Sequence, residues 1–371
     1  MIRFDRASKQ YPDGTVAVDQ LDLEAPSGQI TVLVGPSGCG KTTSLRMINR
    51  MIEPTSGTIW LDDTDTSSMP AHELRRQIGY VIQHAGLFPH RTIVDNVATV
   101  PYLLGTDKKQ ARARAMELLE RVGLDPAFAR RYPAQLSGGQ QQRVGVARAL
   151  AADPPVMLMD EPFSAVDPVV RDQLQAEFLR LQGELGKTIV FVTHDIDEAV
   201  KLGDQVAVLR VGGTLAQLAT PRELLSHPVD AFVAGFVGRD RGYRALGFAR
   251  VETLDAREEP TVTLGDPVPA GVDDDLVLVV NADRQPQGWL RVGTAGASAT
   301  EVGEDLLLRG GTLATEGGTL RAALDACLSS PSGRGVVIDE AGRLQGTITA
   351  REVLDLIDAQ TPGHSVEQAP T

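Results

Sequence analysis

The stretch "GPSGCGKTT" (35–43) contains the residue types that bind phosphate. It matches the pattern G-x-x-x-x-G-K-[ST], in which glycines let backbone N–H groups approach phosphate oxygens closely. The Lys41 ammonium adds positive charge beside the β- and γ-phosphates, and the Thr42 hydroxyl can ligate Mg²⁺. An apolar strand pattern precedes the loop and a helix pattern follows it, as the motif requires. The predicted nucleotide phosphate site consists of Gly35, Pro36, Ser37, Gly38, Cys39, Gly40, Lys41, Thr42 and Thr43.

Two adjacent acids follow the apolar segment "VMLMDEP" (156–162). Asp160 would end a buried strand, where its carboxylate can hold Mg²⁺ directly or through water. Glu161 follows at the position expected for a base that activates water. Paired acids at a strand end are ordinary surface residues in isolation, but beside a phosphate loop they indicate phosphoryl chemistry. A protein kinase is a poor fit, because the sequence has no H-R-D-x-x-x-x-N segment.

A second glycine-containing segment, "LSGGQQQRV" (136–144), has the composition of an anion-binding helix N-terminus. Backbone N–H groups at the start of a helix attract phosphate. A single phosphate site needs only one such segment. The second therefore requires a separate explanation.

The elements that must position these residues alternate between strands and helices. Short apolar strands are predicted at "IRFDRAS", "QITVLVG", "GYVIQ", "VMLMD", "TIVFV" and "QVAVL". Helices are predicted at about 42–51, within 111–150 and along "RDQLQAEFLRLQGEL", where leucines and a phenylalanine share one face. This alternation predicts an α/β fold with a sheet that is mostly parallel in its middle.

Five segments in this order resemble the nucleotide-binding subunit of an ABC transporter: "GPSGCGKTT", the glutamine in "YVIQHAGLF", "LSGGQQQRVGVARAL", "LMDEPFSAVDP" and "VFVTHD". The resemblance covers residues 1 to about 240. It implies a P-loop NTPase fold of the ABC type, with a helical subdomain at about 84–150. It also implies ATP and Mg²⁺ as ligands, and transport-coupled hydrolysis of ATP to ADP and phosphate.

The resemblance implies roles for individual residues. Tyr11 matches the aromatic residue that stacks on adenine, Gln83 the glutamine that senses Mg²⁺ and touches the membrane subunit, and His194 the histidine that contacts the γ-phosphate. The loop 164–167 matches the one that links the two sites of a dimer, although valine stands where leucine is usual. The implied catalytic residues are Glu161, His194, Lys41 and Gln83; the implied metal ligands are Thr42, Gln83 and Asp160; the further nucleotide-binding residues are Tyr11, Ser137, Gly138, Gly139, Gln140 and Asp167.

The second glycine segment gains a role from the same resemblance. In the family, Ser137, Gly138 and Gly139 would bind the γ-phosphate held by the 35–42 loop of another protomer. The implied active unit is a homodimer that ATP closes and hydrolysis reopens. The implied further partners are integral-membrane permease subunits and, indirectly, a substrate-binding protein.

The class of ABC protein is narrowed by further segments. A chain with a single ATPase unit resembles bacterial importers, whereas translation-factor relatives carry two units and repair relatives carry a long coiled coil. "IQHAGLFPHRTI" and "GRDRGYRAL" (238–246) resemble the group that imports glycine betaine, carnitine, choline or proline. Two alternatives remain open: an importer ATPase for another small solute, and an ABC-type regulatory ATPase without transport.

A second domain is predicted beyond residue 240. Residues 241–371 contain no Lys and carry a net charge of −9, against −4 for the first 240 residues. We predict a linker at 241–248, a small α+β domain at 249–360 and a flexible tail at 361–371. The domain would contain two strand–turn–strand units about sixty residues apart and an amphipathic helix at 319–328.

The segment "GVVIDEAGRLQGTITAREVLDLI" looks like the second half of a CBS motif, which implies a degenerate CBS-like regulatory domain. The motif usually reads Ser/Thr-x-x-Asp, and this chain has Glu352 in place of the Asp, three residues after Thr349. Three functions therefore remain open for this domain: a nucleotide site, a packing module, and ionic-strength sensing by its acidic surface, because salt screens repulsion.

Overall composition limits the partners and the location. The net charge of −13 argues against duplex nucleic acid as a partner. Cys39 and Cys327 are expected to be free thiols. No run approaches the roughly 20 apolar residues that cross a bilayer. We therefore expect a cytoplasmic protein that is peripheral on the inner face of the cell membrane through its permease.

Overall fold

The computed structural model describes residues 1–83, 86–164, 166–251, 254–269, 275–292 and 301–360. The chain divides into two compact units, with the boundary between Arg239 and Asp240. The first unit contains the strands β1 (Ile2–Gln10), β2 (Val16–Ala25), β3 (Ile30–Val34), β4 (Ser56–Leu61), β5 (Thr64–Asp65), β6 (Ile78–Val81), β7 (Val156–Asp160), β8 (Thr188–Val192), β9 (Gln205–Leu209) and β10 (Leu215–Ala219). Its helices are α1 (Lys41–Ile48), α2 (Ala71–Arg76), α3 (Ile93–Val97), α4 (Thr99–Leu103), α5 (Lys108–Arg121), α6 (Gly138–Leu150), α7 (Pro168–Leu185), α8 (Ile196–Leu202), α9 (Pro221–Ser226) and α10 (Ala231–Val237).

The α/β prediction is confirmed by a six-stranded sheet in the order β10-β9-β3-β8-β7-β6. All pairings are parallel except that of the edge strand β10. Every residue of β3, β7 and β8 is buried, which explains their unbroken apolar sequences. Because these strands are neighbours and run in one direction, the loops after their carboxyl ends meet at one edge of the sheet.

A second sheet, in the order β2-β1-β4-β5, is antiparallel. Its inward side chains, among them Phe4 and Leu21, share a buried cluster with Leu33 and Leu158 of the parallel sheet. The two sheets therefore enclose one aliphatic core, which also contains Leu45 of α1. This packing fixes the start of α1 relative to the parallel sheet.

The region predicted as a helical subdomain contains α3 to α6, and Asp95 joins its parts. Both carboxylate oxygens of Asp95 accept hydrogen bonds from Arg112 of α5, at 2.9 and 2.8 Å. The hydroxyls of Thr92 and Tyr102 donate to the same carboxylate, at 2.8 and 3.1 Å. The Arg112 hydrogen bonds, with those from the two hydroxyls, hold the pKa of Asp95 at about 2.

This low pKa predicts a pH-dependent contribution to stability. A carboxyl group whose folded pKa is depressed stabilises the fold above its unfolded pKa of about 3.9, and the contribution disappears as pH falls toward 2. We expect Asp95→Asn to lower the free energy of unfolding near neutral pH by at most about 2 kcal/mol. Denaturant titrations of both proteins should show that difference constant above pH 5 and shrinking below pH 4. A difference that does not change with pH would contradict this assignment.

The second unit contains the helices and strands α11 (Arg241–Ala245), β11 (Thr261–Thr263), β12 (Leu276–Val280), β13 (Pro286–Arg291), β14 (Leu307–Leu308), β15 (Ala314–Thr315), α12 (Leu320–Ser329), β16 (Arg334–Ile338), β17 (Leu344–Thr349) and α13 (Ala350–Gln360). Its sheets have the orders β11-β12-β13-β14 and β15-β16-β17. In each, a short strand pairs parallel with the first arm of an antiparallel hairpin. The same sequence offset relates all paired positions of the two hairpins. The predicted internal repeat is therefore present in the strand pairing, whereas its CBS-like nature stays a prediction.

The segment 241–248, expected to be a linker, is folded onto the second unit instead. Residues 241–245 form α11, and Leu246 packs against the buried cluster around α12. The Tyr243 hydroxyl donates to the Asp325 carboxylate, and the Arg321 guanidinium lies 4.9 Å from the Tyr243 ring centroid. These contacts with α12 hold the segment 241–248 in place, although its composition suggested a linker. The predicted tail, 361–371, lies outside the described residues.

Two further predictions concern the cysteines and membrane-spanning helices. Cys39 and Cys327 are free and buried, and burial raises the pKa of both thiols. None of the helices in the described part of the chain is long and apolar enough to cross a membrane.

Candidate functional site

The loop between β3 and α1 has the backbone of a phosphate cradle. Gly38 and Gly40 have positive φ angles of 78° and 88°. A Cβ atom at Gly40 would lie 2.1 Å from the carbonyl oxygen of Ala17, so only glycine fits there. The Nζ of Lys41 donates to the carbonyls of Gly35 at 2.7 Å and Pro36 at 3.1 Å. The predicted phosphate-binding residues are thus together, with the lysine charge held against the loop.

The predicted metal ligand Asp160 lies at the end of β7 and contacts the first turn of α1. Its Oδ1 accepts a hydrogen bond of 2.9 Å from the Thr42 hydroxyl. Asp160 is 6% exposed, and an Arg46 nitrogen lies 3.7 Å from its Oδ2. The Tyr80 hydroxyl donates to the same oxygen at 3.5 Å, and burial raises the pKa of that phenol, which keeps it a donor. The sequence motifs did not reveal Arg46 and Tyr80 as neighbours of this carboxylate.

Glu161 follows at the sheet edge and meets two predicted site residues. Its Oε2 lies 3.1 Å from Nδ1 of His194, and the Gln83 amide donates to it at 3.4 Å. The Gln83 amide also lies 3.3 Å from the Ser164 hydroxyl, which donates to the Glu161 carbonyl. Glu161 has a φ of 46°, and its N–H donates to the carbonyl of Val192 at the end of β8. The strained turn therefore fixes this carboxylate between β7 and β8.

A cavity of about 680 Å³ lies at this edge and joins the phosphate loop to the acid. It is lined by Ala17, Gly35, Pro36, Ser37, Gly38, Cys39, Gly40, Lys41, Thr42, Thr43, Glu161, His194 and Phe236. The sequence did not predict Ala17 or Phe236 as site residues. Phe236 lies in "AFVAGFVG", which resembles any apolar helix. Tyr11 is not among the described residues that line the cavity, and the Lys9 ammonium lies 5.5 Å from its ring centroid.

The second glycine segment forms the start of α6 and lies apart from that cavity. Ser137 caps the helix: its hydroxyl accepts from the Gln140 N–H at 3.3 Å, and the Gln140 side chain accepts from the Ser137 N–H at 2.9 Å. Ser137 and Gly138 are exposed, whereas Gly139 is buried against Val170. Of the described residues in 137–140, none lines the cavity.

Asp167 also has a structural role, because its side chain accepts from the Val169 N–H at 3.0 Å and caps α7. The first turn of α7 follows the loop 164–167, of which the structure describes 164, 166 and 167. The side chain of Asp167 is therefore a helix cap that still has acceptor sites for a neighbouring molecule.

The residues around Asp160 fit Mg²⁺. Adjacent ligands of an octahedral Mg²⁺ at about 2.0–2.1 Å lie roughly 3 Å apart, and the Thr42 hydroxyl lies 2.9 Å from the Asp160 carboxylate. Gln83 can add an amide oxygen. No cluster of three or more His, Cys, Asp or Glu residues suited to a metal occurs in the described ranges. A site of few protein oxygens, completed by phosphate and water, is what Mg²⁺ prefers.

Comparisons with known proteins show the family. Residues 18–164 match the family model described as "ABC transporter". The chain is 42% identical to an osmoprotectant import ATP-binding protein, OsmV, of Salmonella typhimurium, over 97% of each chain. It is also 42% identical to the choline transport ATP-binding protein OpuBA of Bacillus subtilis, over 96% of each chain. A dimeric post-hydrolysis structure of the ATP-binding cassette MJ0796 with ADP and Pi covers 60% of this chain and 99% of its own, at 34% identity and a TM-score of 0.55.

Proposed function

The chain belongs to the ABC transporter family of ATP-binding subunits, and from that membership we propose that it energises uptake of glycine betaine or another quaternary-amine osmoprotectant. It is an ATPase that uses ATP with Mg²⁺. The observation that carries the proposed cargo is the length of the similarity. Relatives named for osmoprotectant and choline import match nearly the whole chain, including the second unit. An importer for another small solute remains the alternative within the class.

The phosphate loop and Lys41 bind the triphosphate. Loop N–H groups and the Lys41 ammonium offer a positive surface to the β- and γ-phosphates. To do so, Nζ exchanges its contacts with the Gly35 and Pro36 carbonyls for phosphate oxygens. Thr42, Asp160 and Gln83 would hold Mg²⁺, which supplies charge neutralisation at the transferring phosphoryl group.

Glu161 would take a proton from the attacking water. His194 and Gln83 both contact its Oε2. We therefore expect Oε1 to accept the proton. His194, which lines the same cavity, would donate toward the γ-phosphate. Because Gln83 contacts both Glu161 and Ser164, it would couple the position of this base to that of the loop that follows it.

The exposed start of α6 would complete the site on a second copy of the chain. The N–H groups at positions 138 and 139 carry the positive end of a 13-residue helix. Directed at a γ-phosphate on the partner, they would stabilise the charge that develops there. We propose the homodimer as the active unit, docked from the cytoplasm to permease subunits that receive solute from a binding protein.

The second unit is proposed to be a CBS-like regulatory domain. In the motif 349–352, both the N–H and the hydroxyl of Thr349 donate to Glu352, at 2.8 Å each. Arg257 forms an ion pair with the same carboxylate at 2.5 Å. The Thr349 N–H, more than any other group, lowers the pKa of Glu352. This acid is thus engaged at the start of its own helix, which supports regulation by packing over nucleotide binding.

Uptake by living cells tests the proposed cargo. In the source organism with the gene deleted and restored on a plasmid, Lys41→Ala should reduce labelled glycine betaine uptake to the deletion level, because the triphosphate loses its cation. Uptake of a labelled sugar serves as the control and should be unchanged. If betaine uptake persists in the deletion strain and another solute is lost instead, the alternative importer is correct. If no solute is affected, a regulatory ATPase without transport is favoured.

A further inference from the structure

A buried acid that the proposed mechanism does not use lies in the first turn of α8, the helix that follows His194. This acid, Glu198, is 7% exposed. Its Oε1 accepts a hydrogen bond of 3.0 Å from the side-chain amide of Gln175 on α7, which is itself 5% exposed. Removing a carboxyl group from water is costly unless hydrogen bonds compensate. Two buried polar side chains in contact therefore call for a reason.

The start of α8 does not supply that reason. In a capping box, a glutamate at the position of Glu198 accepts from the backbone N–H of the capping residue. Here the capping residue is Asp195, and its N–H donates instead to the Thr193 hydroxyl at 3.0 Å. The Asp195 side chain caps the helix by accepting from the Asp197 N–H at 2.8 Å. The Glu198 side chain is therefore not needed to begin its own helix.

Thr193 connects Glu198 to the end of β8. Burial raises the pKa of the Glu198 carboxyl, and hydrogen bonds from Thr193 and Gln175 act in the opposite direction. The Thr193 hydroxyl can donate to this carboxyl while it accepts from the helix start, because a hydroxyl is both donor and acceptor. The Thr193 N–H donates to the Leu33 carbonyl of β3 at 3.2 Å. The residue directly before His194 is thus held by its backbone and by its side chain.

The partner of Glu198 on α7 shares a helix face with a residue that contacts the loop 164–167. One turn before Gln175, the Arg171 guanidinium donates to the Val166 carbonyl of that loop at 3.0 Å. Residues four apart lie on the same face of a helix. One face of α7 therefore contacts both this loop and Glu198.

We propose that Glu198 is a positioning residue for ATP hydrolysis, which uses hydrogen bonds to Thr193 and Gln175 to fix the backbone before His194 relative to α7. The inference rests on the proposed role of His194 and names the group that keeps this histidine in place. Nδ1 of His194 lies 3.1 Å from the Glu161 carboxylate, so a displaced histidine would also disturb the base. A misplacement of about 1 Å at a catalytic group can cost about a hundredfold in rate.

Two substitutions of similar length separate the polar end of Glu198 from its bulk. Glu198→Met removes both oxygens and should lower kcat about 10- to 100-fold, while the Kd for ATP changes less than about threefold. Glu198→Gln keeps an acceptor and should retain kcat within about threefold of the unaltered chain. Gln175→Met removes the donor and should lower kcat at least about threefold. Phosphate release at saturating ATP and Mg²⁺ measures kcat, and calorimetry without Mg²⁺ measures Kd.

A double substitution tests whether Glu198 acts through His194. His194→Ala alone should lower kcat about 10²- to 10³-fold. Adding Glu198→Met should lower kcat less than about threefold further, because residues that act as a unit are not additive. If the two losses multiply in full, Glu198 does not act through this histidine and the proposal is overturned.

Val200→Ala is the matched control for loss of stability. Val200 is also buried on α8, and its truncation destabilises the packing of this helix without removing a hydrogen bond. This variant should hydrolyse ATP like the unaltered chain. The proposal fails if Val200→Ala lowers kcat as much as Glu198→Met, or if Glu198→Met and Gln175→Met both hydrolyse normally. Equal losses in Glu198→Gln and Glu198→Met would also contradict it. Normal hydrolysis by His194→Ala would refute the role proposed for that histidine, and the inference with it.

Discussion

Replacing Glu161 with glutamine is expected to leave ATP binding intact and to slow hydrolysis at least about a hundredfold. Glutamine keeps the size of the side chain and can still contact His194 and Gln83, which lie 3.1 and 3.4 Å from the carboxylate. Its amide cannot accept a proton from water. Phosphate release at saturating ATP and Mg²⁺ measures the rate, and calorimetry measures binding.

The strained backbone at Glu161 cannot account for the expected difference in hydrolysis. Its φ of 46° imposes the same strain on glutamine as on glutamate. Glu117→Gln is a suitable control, because that acid forms an exposed ion pair with Arg114 away from the cavity. It should hydrolyse ATP like the unaltered chain. Normal hydrolysis by Glu161→Gln would show that the base lies elsewhere.

Gly138→Asp is expected to abolish ATP-dependent dimerisation and to reduce hydrolysis by a factor of about 10² to 10³. Gly138 is exposed and is the first residue of α6. A carboxylate there repels a partner's γ-phosphate, while an acid at a helix N-terminus favours the helix itself. Loss of activity would therefore not reflect unfolding. Sedimentation of the Glu161→Gln protein with ATP, with and without the second substitution, measures dimerisation.

A matched control for Gly138→Asp is Gly183→Asp. Gly183 is exposed on α7, and a Cβ atom there would meet nothing within 4 Å. This variant should still dimerise with ATP. Monomer binding of ATP should be near normal in both variants, because 137–140 lies outside the cavity. Full hydrolysis by Gly138→Asp would remove the second glycine segment from the site.

The parts that sequence predicted are those that local patterns determine. The fully buried strands β3 and β7 are continuous apolar runs, and the residues that follow them must lie at the sheet edge. The phosphate loop needs glycine at positions such as Gly40, where the Ala17 carbonyl leaves no room for a side chain. Such requirements appear directly as residue types at fixed spacing.

The parts that sequence missed depend on contacts between distant residues. Phe236 lines the same cavity as the phosphate loop although two hundred residues separate them, and nothing in "AFVAGFVG" distinguishes it from Phe232. The segment 241–248 resembled a linker because its partners, Asp325 and Arg321, lie far along the chain. Tertiary packing, which periodicity does not encode, decided both cases.

The central claim is that each ATP site joins the phosphate loop of one copy to the start of α6 of another. Mixing Glu161→Gln and Gly138→Asp proteins tests it most directly. In a mixed dimer, the Gly138→Asp copy supplies an intact loop and base, and the Glu161→Gln copy supplies an intact helix start. An equal mixture should therefore hydrolyse ATP faster than either component, at up to about a quarter of the unaltered rate, the value for random pairing, in which half the dimers have one complete site of two. A mixture as inactive as its two components would contradict the shared site.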